Sequence, residues 1–260
     1  MQRQAKPVKP SSDYDAFASV YDRHWGQHSL KKFAPILADR LRPLLPAGAR
    51  VLDVCCGTGQ IARWFSGQGF RVTALDRSQA MLDHARARAP AAEFVLADAR
   101  DFSLPPVHSA AVSMFDSLNH ILSPDELGAA FRCIHAALAP GGVFFCDFNM
   151  RNKFAGGWKG DFNIVEDDLA CIVRTQYDDA SRLARWDVTV FRRRHTWKRT
   201  DLVFTQRAYE EQEVQQALAD AGFSSIRAWD ALHPPDGGTP LPPGKTYFIA
   251  VKTDEIGRPA

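Results

Sequence analysis

Val51-Leu52-Asp53-Val54-Cys55-Cys56-Gly57-Thr58-Gly59 is a short apolar, β-rich run with one embedded acid, and it breaks into a Gly-x-Gly turn. Gln60-Ile61-Ala62-Arg63-Trp64-Phe65 follows with helical patterning. Strand, glycine turn and helix in that order leave backbone N–H groups open at a helix N-terminus, where a nucleotide-like ligand can lie. Taken alone, Gly57-Thr58-Gly59-Gln60-Ile61-Ala62 also fits the G-x-G-x-x-A dinucleotide fingerprint. Positions further along separate the two readings.

Outward from this turn, strands and helices alternate. Phe70 to Leu75 predicts a second strand ending at Asp76, and Ser78 caps a helix that runs to Ala89 with Met81, Leu82 and Ala85 on one side. Glu93 to Ala97 predicts a third strand ending at Asp98, and Ala110 to Phe115 a fourth. Ser123-Pro124-Asp125-Glu126 supplies an N-cap, a proline at the first helical position and a capping-box glutamate. Leu127, Ala130, Phe131, Ile134 and Leu138 then form a core-facing stripe. Pro140-Gly141-Gly142 ends that helix, and Val143 to Phe148 is a fifth strand. Strands alternating with helices imply right-handed crossovers and a parallel sheet, an α/β fold with helices on both faces.

The pattern changes after Met150. Asn163 to Gln176, Leu183 to Lys198 and Asp201 to Tyr209 read as three successive strands without a helix between them, an inserted antiparallel sheet. Helical patterning resumes at Glu210 and stops at Gly222. Phe223 to Ala231 and Tyr247 to Val251 supply two last strands joined by the loop His233 to Gly238. The chain thus divides into an N-terminal tail and lid (1–49), a ligand-binding domain (50–150 and 210–252) and the insertion (151–209), which is expected to cover the substrate or form an oligomer contact.

At 260 residues, with 45% hydrophobic and 24% charged side chains, the chain can bury a substantial core. The net charge of +2 gives no general attraction to nucleic acid or membrane. No run approaches the roughly 20 apolar residues of a membrane helix. Met1 to Pro10 is polar and basic and reads as a disordered tail rather than a secretory signal, and the last eight residues read as a tail. Five cysteines, with no pair at metal-ligand spacing, predict buried reduced thiols, a cytoplasmic protein and no metal site.

Three acids at strand positions narrow the ligand. In an open parallel sheet, ligands bind beyond the carboxyl ends of the strands, where strand order reverses. Asp76 lies 17 residues after Gly59, where a carboxylate can accept both hydroxyls of a ribose. Asp98, followed by Ala99, could accept from an adenine amino group. Asp53, four residues before Gly57, could meet an ammonium directly or through water. A pyrophosphate would find that acid repulsive; a zwitterionic amino-acid tail would not.

Val51 to Gly59, Asp76, Asp98-Ala99, Ser113 to His120 and Leu138-Ala139-Pro140-Gly141-Gly142 together resemble the ordered motifs of class I S-adenosylmethionine-dependent methyltransferases. The resemblance covers residues 50 to 150, and the closing strand pair fits the reversed last strand of that fold. It implies a Rossmann-like, seven-stranded, mostly parallel sheet with the last strand antiparallel, plus the small antiparallel β insertion. The insertion further resembles small-molecule N- and O-methyltransferases of sugar and natural-product pathways. The resemblance also implies a cofactor site for S-adenosyl-L-methionine, with S-adenosyl-L-homocysteine as product. Asp53, Gly57 and Gly59 would hold the methionine portion, with Cys55 and Cys56 lining it through backbone. Asp76 would bind the ribose, Arg77 and Met81 would flank the adenine, and Asp98, Ala99 and Arg100 would read its edge. Phe115 would close the site near the sulfonium. Tyr14 to Trp25 resembles the lid helix, with Tyr14 or Tyr21 reaching the cofactor. Where the family often has an acid- and glycine-rich first motif, this chain has Cys55-Cys56.

Methyl transfer from a sulfonium is an in-line displacement that mainly requires alignment in a dry cavity. A base is needed only when the nucleophile enters protonated. In this fold the end of the fourth strand faces the methyl group, so His120 is the candidate base. Ser117, Asn119, Trp25 and His195 are candidate substrate contacts. The expected partner is a small molecule, with the insertion a candidate surface for a homodimer. Three alternatives stand beside this reading. Arg192 to Arg199 is a basic run that admits an RNA acceptor, although on a strand its charge splits over two faces and nearby acids could offset it. The same fold serves aminopropyl transferases, whose fourth-strand motif normally carries more acid than the single Asp116 here. A non-catalytic binding module would not need Asp53, Asp76 and Asp98 intact.

Overall fold

A computed structural model describes residues 13–156, 161–230 and 244–253. The expected N-terminal tail, the loop His233 to Gly238 and almost all of the C-terminal tail lie outside the described residues.

Helix α1 (Asp13–Tyr21) leads through a wide π-type turn (Asp22–Gly26) into α2 (Gln27–Arg40). Then β1 (Arg50–Val54), α3 (Gln60–Gly67), β2 (Arg71–Asp76), α4 (Gln79–Arg88), β3 (Glu93–Leu96) and β4 (His108–Ser113) follow. A 3-10 turn (Ser117–His120), α5 (Pro124–Ala137), β5 (Leu138–Asn149) and the short α6 (Arg151–Ala155) complete the first half. The insertion is β6 (Phe162–Val165), β7 (Leu169–Asp178), β8 (Leu183–Arg193) and β9 (Trp197–Arg207). Helix α7 (Glu211–Asp220), β10 (Phe223–Asp230) and β11 (Lys245–Lys252) close the chain.

The main sheet has seven strands in the order β3-β2-β1-β4-β5-β11-β10, and β11 runs antiparallel to both neighbours. Strand order reverses between β1 and β4, so the crevice of this α/β sheet opens over the glycine turn and the residues after β4. Alternation along the strands sends Leu52, Val54, Phe144 and Phe148 to one face, under α5 and α7. Val51, Val112, Phe145 and Tyr247 go to the other, under α2 and α3. The insertion forms a separate four-stranded antiparallel sheet. Its inner residues Leu169, Cys171, Val188, Val190 and Phe204 pack on Phe17 and Val20 of α1, so the lid is clamped between sheet and domain.

Several boundaries differ from the sequence expectation for local physical reasons. The fourth strand ends at Ser113 because Phe115 and Asp116 take left-handed backbone (φ +68° and +51°) that cannot continue a ladder. Pro140-Gly141-Gly142 does not separate helix from strand: β5 pairs already at Leu138 with His108, bulges, and resumes at Val143 with Ala110. A Cβ at Gly142 would lie 2.7 Å from the Ala139 carbonyl oxygen, so only glycine closes that bulge. The insertion has four strands rather than three, since Glu166-Asp167-Asp168 turns the chain and Glu166 N donates to Leu169 O at 2.7 Å. The capping box expected at Ser123 does not form; Glu126 instead meets Arg100 at 3.0 Å. Ser78 does cap α4, accepting from Met81 N at 3.1 Å.

Candidate active site

The glycine turn is held by left-handed backbone at Cys55 (φ +60°), Gly57 (φ +53°) and Gly59 (φ +81°). A Cβ at Gly59 would lie 2.9 Å from Ala85 Cα and Cβ, so this glycine lets α3 and α4 approach. At Gly57 the added atom would meet only the Tyr21 ring, at 3.6 Å, so this part of the turn faces the lid. Gly57 N donates to Asp76 Oδ2 and Ser78 N to Asp76 Oδ1, both at 2.9 Å, which fixes the β2 carboxylate against the turn. Burial lifts the Asp76 pKa above the ordinary carboxylate range even though those N–H groups oppose the rise. At Asp98 burial also pushes upward, but the Arg100 fork outweighs it and the net shift is down. Arg100 Nε and Nη2 meet Asp98 at 2.9 and 2.7 Å.

Asp53 is 2% exposed, and among the described residues its Oδ2 has no hydrogen-bond partner. Burial and the charge of Asp76 push its pKa up to about 8, against an opposing backbone N–H at Ala62. Such a carboxyl is paired with a proton or with a cation brought by a ligand.

At the other end, His120 sits on the 3-10 turn after β4. Its Nδ1 is 2.9 Å from the Thr205 carbonyl oxygen, which can only accept, so Nδ1 carries the hydrogen. Its Nε2 therefore bears the lone pair, and the Tyr14 hydroxyl donates to it at 2.9 Å. Burial lowers the His120 pKa, which keeps the ring neutral. Beside it, Asp116 accepts from Gln206 Nε2 at 2.5 Å and Lys245 Nζ at 2.6 Å.

One cavity joins these two ends. Tyr14, Tyr21, Trp25, Cys55, Gly57, Asp76, Arg77, Met81, Asp98, Ala99, Arg100, Phe115, Ser117 and His120 line it, as the sequence reading expected. The lid closes it: Asp15 Oδ1 accepts from Ser78 Oγ at 2.6 Å, and Arg88 Nη1 reaches Asp22 Oδ1 at 2.5 Å.

Residues 51–142 match a family model described as a methyltransferase domain. Residues 51–142 form a methyltransferase domain. The chain is similar to the dTDP-3-amino-3,4,6-trideoxy-α-D-glucopyranose N,N-dimethyltransferase of Streptomyces venezuelae, 39% identical over 142 residues. That match spans 54% of this chain and 60% of the relative. Among solved structures, a methyltransferase from Clostridium acetobutylicum superposes with a TM-score of 0.76 at 22% identity, covering 94% of this chain and 100% of its own. The S-adenosylmethionine-bound amino pentose methyltransferase CalS10 of Micromonospora echinaspora gives 0.70 at 25% identity, covering 96% and 100%.

The residues of the methyltransferase domain fit this cofactor. An orphaned buried carboxylate oxygen at Asp53 suits an ammonium, Asp76 at the end of β2 suits a ribose, and Met81, Ala99 and Arg77 suit an adenine. Five expected residues lie off the cavity wall. Asp53 and Cys56 are buried beneath the turn, which leaves Asp53 contact through a bridging group, and Gly59 faces Ala85. Asn119 is no substrate contact: it is fully buried, donating to the carbonyls of Asn149 and Arg207 at 2.9 and 2.8 Å and accepting from Asn149 N at 3.0 Å. His195 lies on the exposed turn between β8 and β9, away from the cavity.

Sequence reasoning missed Asp147, Lys245, Gln206, Phe204 and Trp186. Asp147 carried a readable signal, an acid embedded in an apolar strand like Asp53. Lys245 and Gln206 carried none, because strands remote in sequence bring them to the site.

Proposed function

We propose that the protein methylates an amino nitrogen of a small molecule, an amino sugar, with S-adenosylmethionine as donor. The observation that carries this reading is the acceptor-rich wall around His120, Asp116 and Gln206, at the end of the cavity away from Asp98. The kinship with sugar N-methyltransferases supports the same substrate class. S-adenosylmethionine, when bound, supplies a methyl group on a positively charged sulfur that is already an activated leaving group. What the chain contributes is alignment, exclusion of water and a place for one proton. Asp53, Gly57 and Asp76 anchor the donor; Phe115 and Met81 keep its surroundings apolar; α1 with Tyr14 and Tyr21 shuts the cavity. Holding the reactants in line supplies on the order of 7–11 kcal/mol of the barrier. An amine that enters as its ammonium, or leaves with one hydrogen too many, gives a proton to His120 Nε2, the ring atom that carries the lone pair, as the Tyr14 hydroxyl turns its hydrogen away.

An RNA acceptor has less support. Arg192 donates to Ala16 O at 3.1 Å, Arg193 lies over Trp197 and Arg199 pairs with Asp201 at 2.9 Å, so three of the five Lys and Arg side chains of the basic run are engaged within the molecule. The domain division, homodimerisation through the insertion and a cytoplasmic location belong to the same proposal. Among the described residues no helix is long and apolar enough to cross a membrane.

The test is mass spectrometry of reactions holding S-adenosylmethionine and free or nucleotide-linked amino sugars, each beside its hydroxyl counterpart. One nucleotide-linked pair is dTDP-3-amino-3,4,6-trideoxy-α-D-glucopyranose and its 3-hydroxy analogue. The expected result is methyl gain on amines. Methyl gain confined to hydroxyls, or none on any probe while the donor binds, overturns the reading.

A further inference from the structure

The wall beside His120 carries a charge arrangement that donor binding does not use. Asp116 follows Phe115 in left-handed backbone, a conformation side-chain-bearing residues rarely adopt and that tertiary contacts must hold. Those contacts are visible. Asp116 N donates to Asp147 Oδ2 at 3.1 Å, and Lys245 Nζ bridges Asp116 Oδ1 and Asp147 Oδ2. Asp147 is wholly buried on β5, so the Lys245 charge is divided between two carboxylates and neutralises Asp116 only in part. Of the pair, only Asp116 reaches the cavity.

Gln206 lines the same wall from β9. A carboxylate only accepts, so the Gln206 nitrogen is the atom facing Asp116 Oδ2, at 2.5 Å. Its other terminal atom, Oε1, is buried and has no hydrogen-bond partner among the described residues. His120 adds Nε2, fixed as an acceptor by the Thr205 carbonyl. The wall thus turns one incompletely neutralised carboxylate, Asp116, toward the cavity; the Gln206 amide oxygen behind it is buried, and His120 Nε2 accepts from Tyr14. The donors at the same place, Lys245 Nζ, the Gln206 amide nitrogen and the Tyr14 hydroxyl, already point into these acceptors.

A ligand that meets this carboxylate best brings N–H donors and a positive charge. A protonated primary amine has three N–H bonds and the charge; a hydroxyl in the same position has one O–H and none. We infer that Asp116 is the specificity-determining residue for the acceptor, binding it as its ammonium ion and selecting an amine over the isosteric alcohol. Lys245 and Gln206 are the positioning residues that aim the carboxylate. Once held, the ammonium transfers one proton to His120 Nε2 as the Tyr14 hydroxyl turns its hydrogen away; the N–H electron pair stays on nitrogen as the lone pair that attacks, and the ring becomes an imidazolium. This inference rests on the N-methylation reading and names what enforces it.

The experiment is calorimetric titration of the amino-sugar nucleotide and its hydroxyl counterpart into protein saturated with S-adenosylhomocysteine, for wild type and Asp116→Asn. In wild type the amine binds at least about tenfold more tightly than the alcohol, the scale of one charge-assisted hydrogen bond. In Asp116→Asn the amine loses that advantage, the alcohol is unchanged, and S-adenosylhomocysteine affinity, the control for folding, stays within about twofold of wild type. Equal affinity of amine and alcohol for wild type overturns the inference without any variant, and so does undiminished amine binding by Asp116→Asn. If wild type methylates amines and yet shows either result, only the role of Asp116 fails. If wild type neither binds nor methylates an amine, the proposed function fails and the inference with it.

Discussion

Asp53 is a carboxyl with one orphaned oxygen under a glycine turn, and burial with the nearby charge of Asp76 pushes its pKa up to about 8. In the unfolded chain the same group ionises near 3.9. Between roughly pH 4 and pH 8 the folded state therefore keeps a proton that the unfolded state has released, so this group makes stability fall as pH rises through that window. Thermal unfolding followed from pH 5 to pH 8 will show that decline, and Asp53→Asn will flatten it. A variant with the wild-type slope would remove Asp53 from this role. His120 shifts the other way. Burial lowers its pKa, so Nε2 is unprotonated at neutral pH and the acid limb of kcat lies below the ordinary histidine value of about 6.5. His120→Asn is expected to lower kcat on the order of tenfold to a hundredfold, at or below the usual range for a lost general base, and to abolish that limb. An unchanged limb would assign the proton to another group.

The short turn after β4 shows how elements, rather than single side chains, make the site. Phe115 and Asp116 leave the strand in left-handed backbone, and the 3-10 turn then carries His120 to the cavity. Asn119 ties this turn to β5 and β9 with three hydrogen bonds to backbone. Its removal leaves two carbonyls and one N–H buried without partners, so Asn119→Ala should cost about 3 kcal/mol of stability or more, at roughly 1–3 kcal/mol for each of the three orphaned groups. The denaturant midpoint reads this directly, and an unchanged midpoint would contradict the tie. The sequence could not distinguish this role from substrate contact, because the carbonyls Asn119 satisfies belong to residues 30 and 88 positions away. What was legible was local: the Ser78 cap, the Gly222 stop, the apolar stripe of α5. The capping box at Ser123 failed because Glu126 had a better partner in Arg100, charged and on another element.

At the scale of the whole molecule, the order of strands converts those local features into a cavity. The switch between β1 and β4 places the glycine turn opposite the β4 exit, and the insertion with α1 roofs the gap. The half of that cavity beside the glycine turn was readable because its residues follow one another along the first three strands, with Asp53 inside β1, Asp76 at the end of β2 and Asp98 just past β3. At the other end His120, Ser117 and Trp25 were readable, but the Asp116 wall was not, since Asp116, Asp147, Gln206 and Lys245 come from four segments that meet only when the sheet and the insertion are assembled. The central claim is that this crevice holds S-adenosylmethionine with Asp76 on its ribose. Calorimetric titration of S-adenosylmethionine into wild type and Asp76→Ala tests it most directly. Wild type should bind with saturable heat, and the variant should bind more weakly by about 1–3 kcal/mol, the usual loss for a hydrogen-bonded charged partner. No heat from wild type at millimolar donor, or the same affinity in the variant, would contradict the claim.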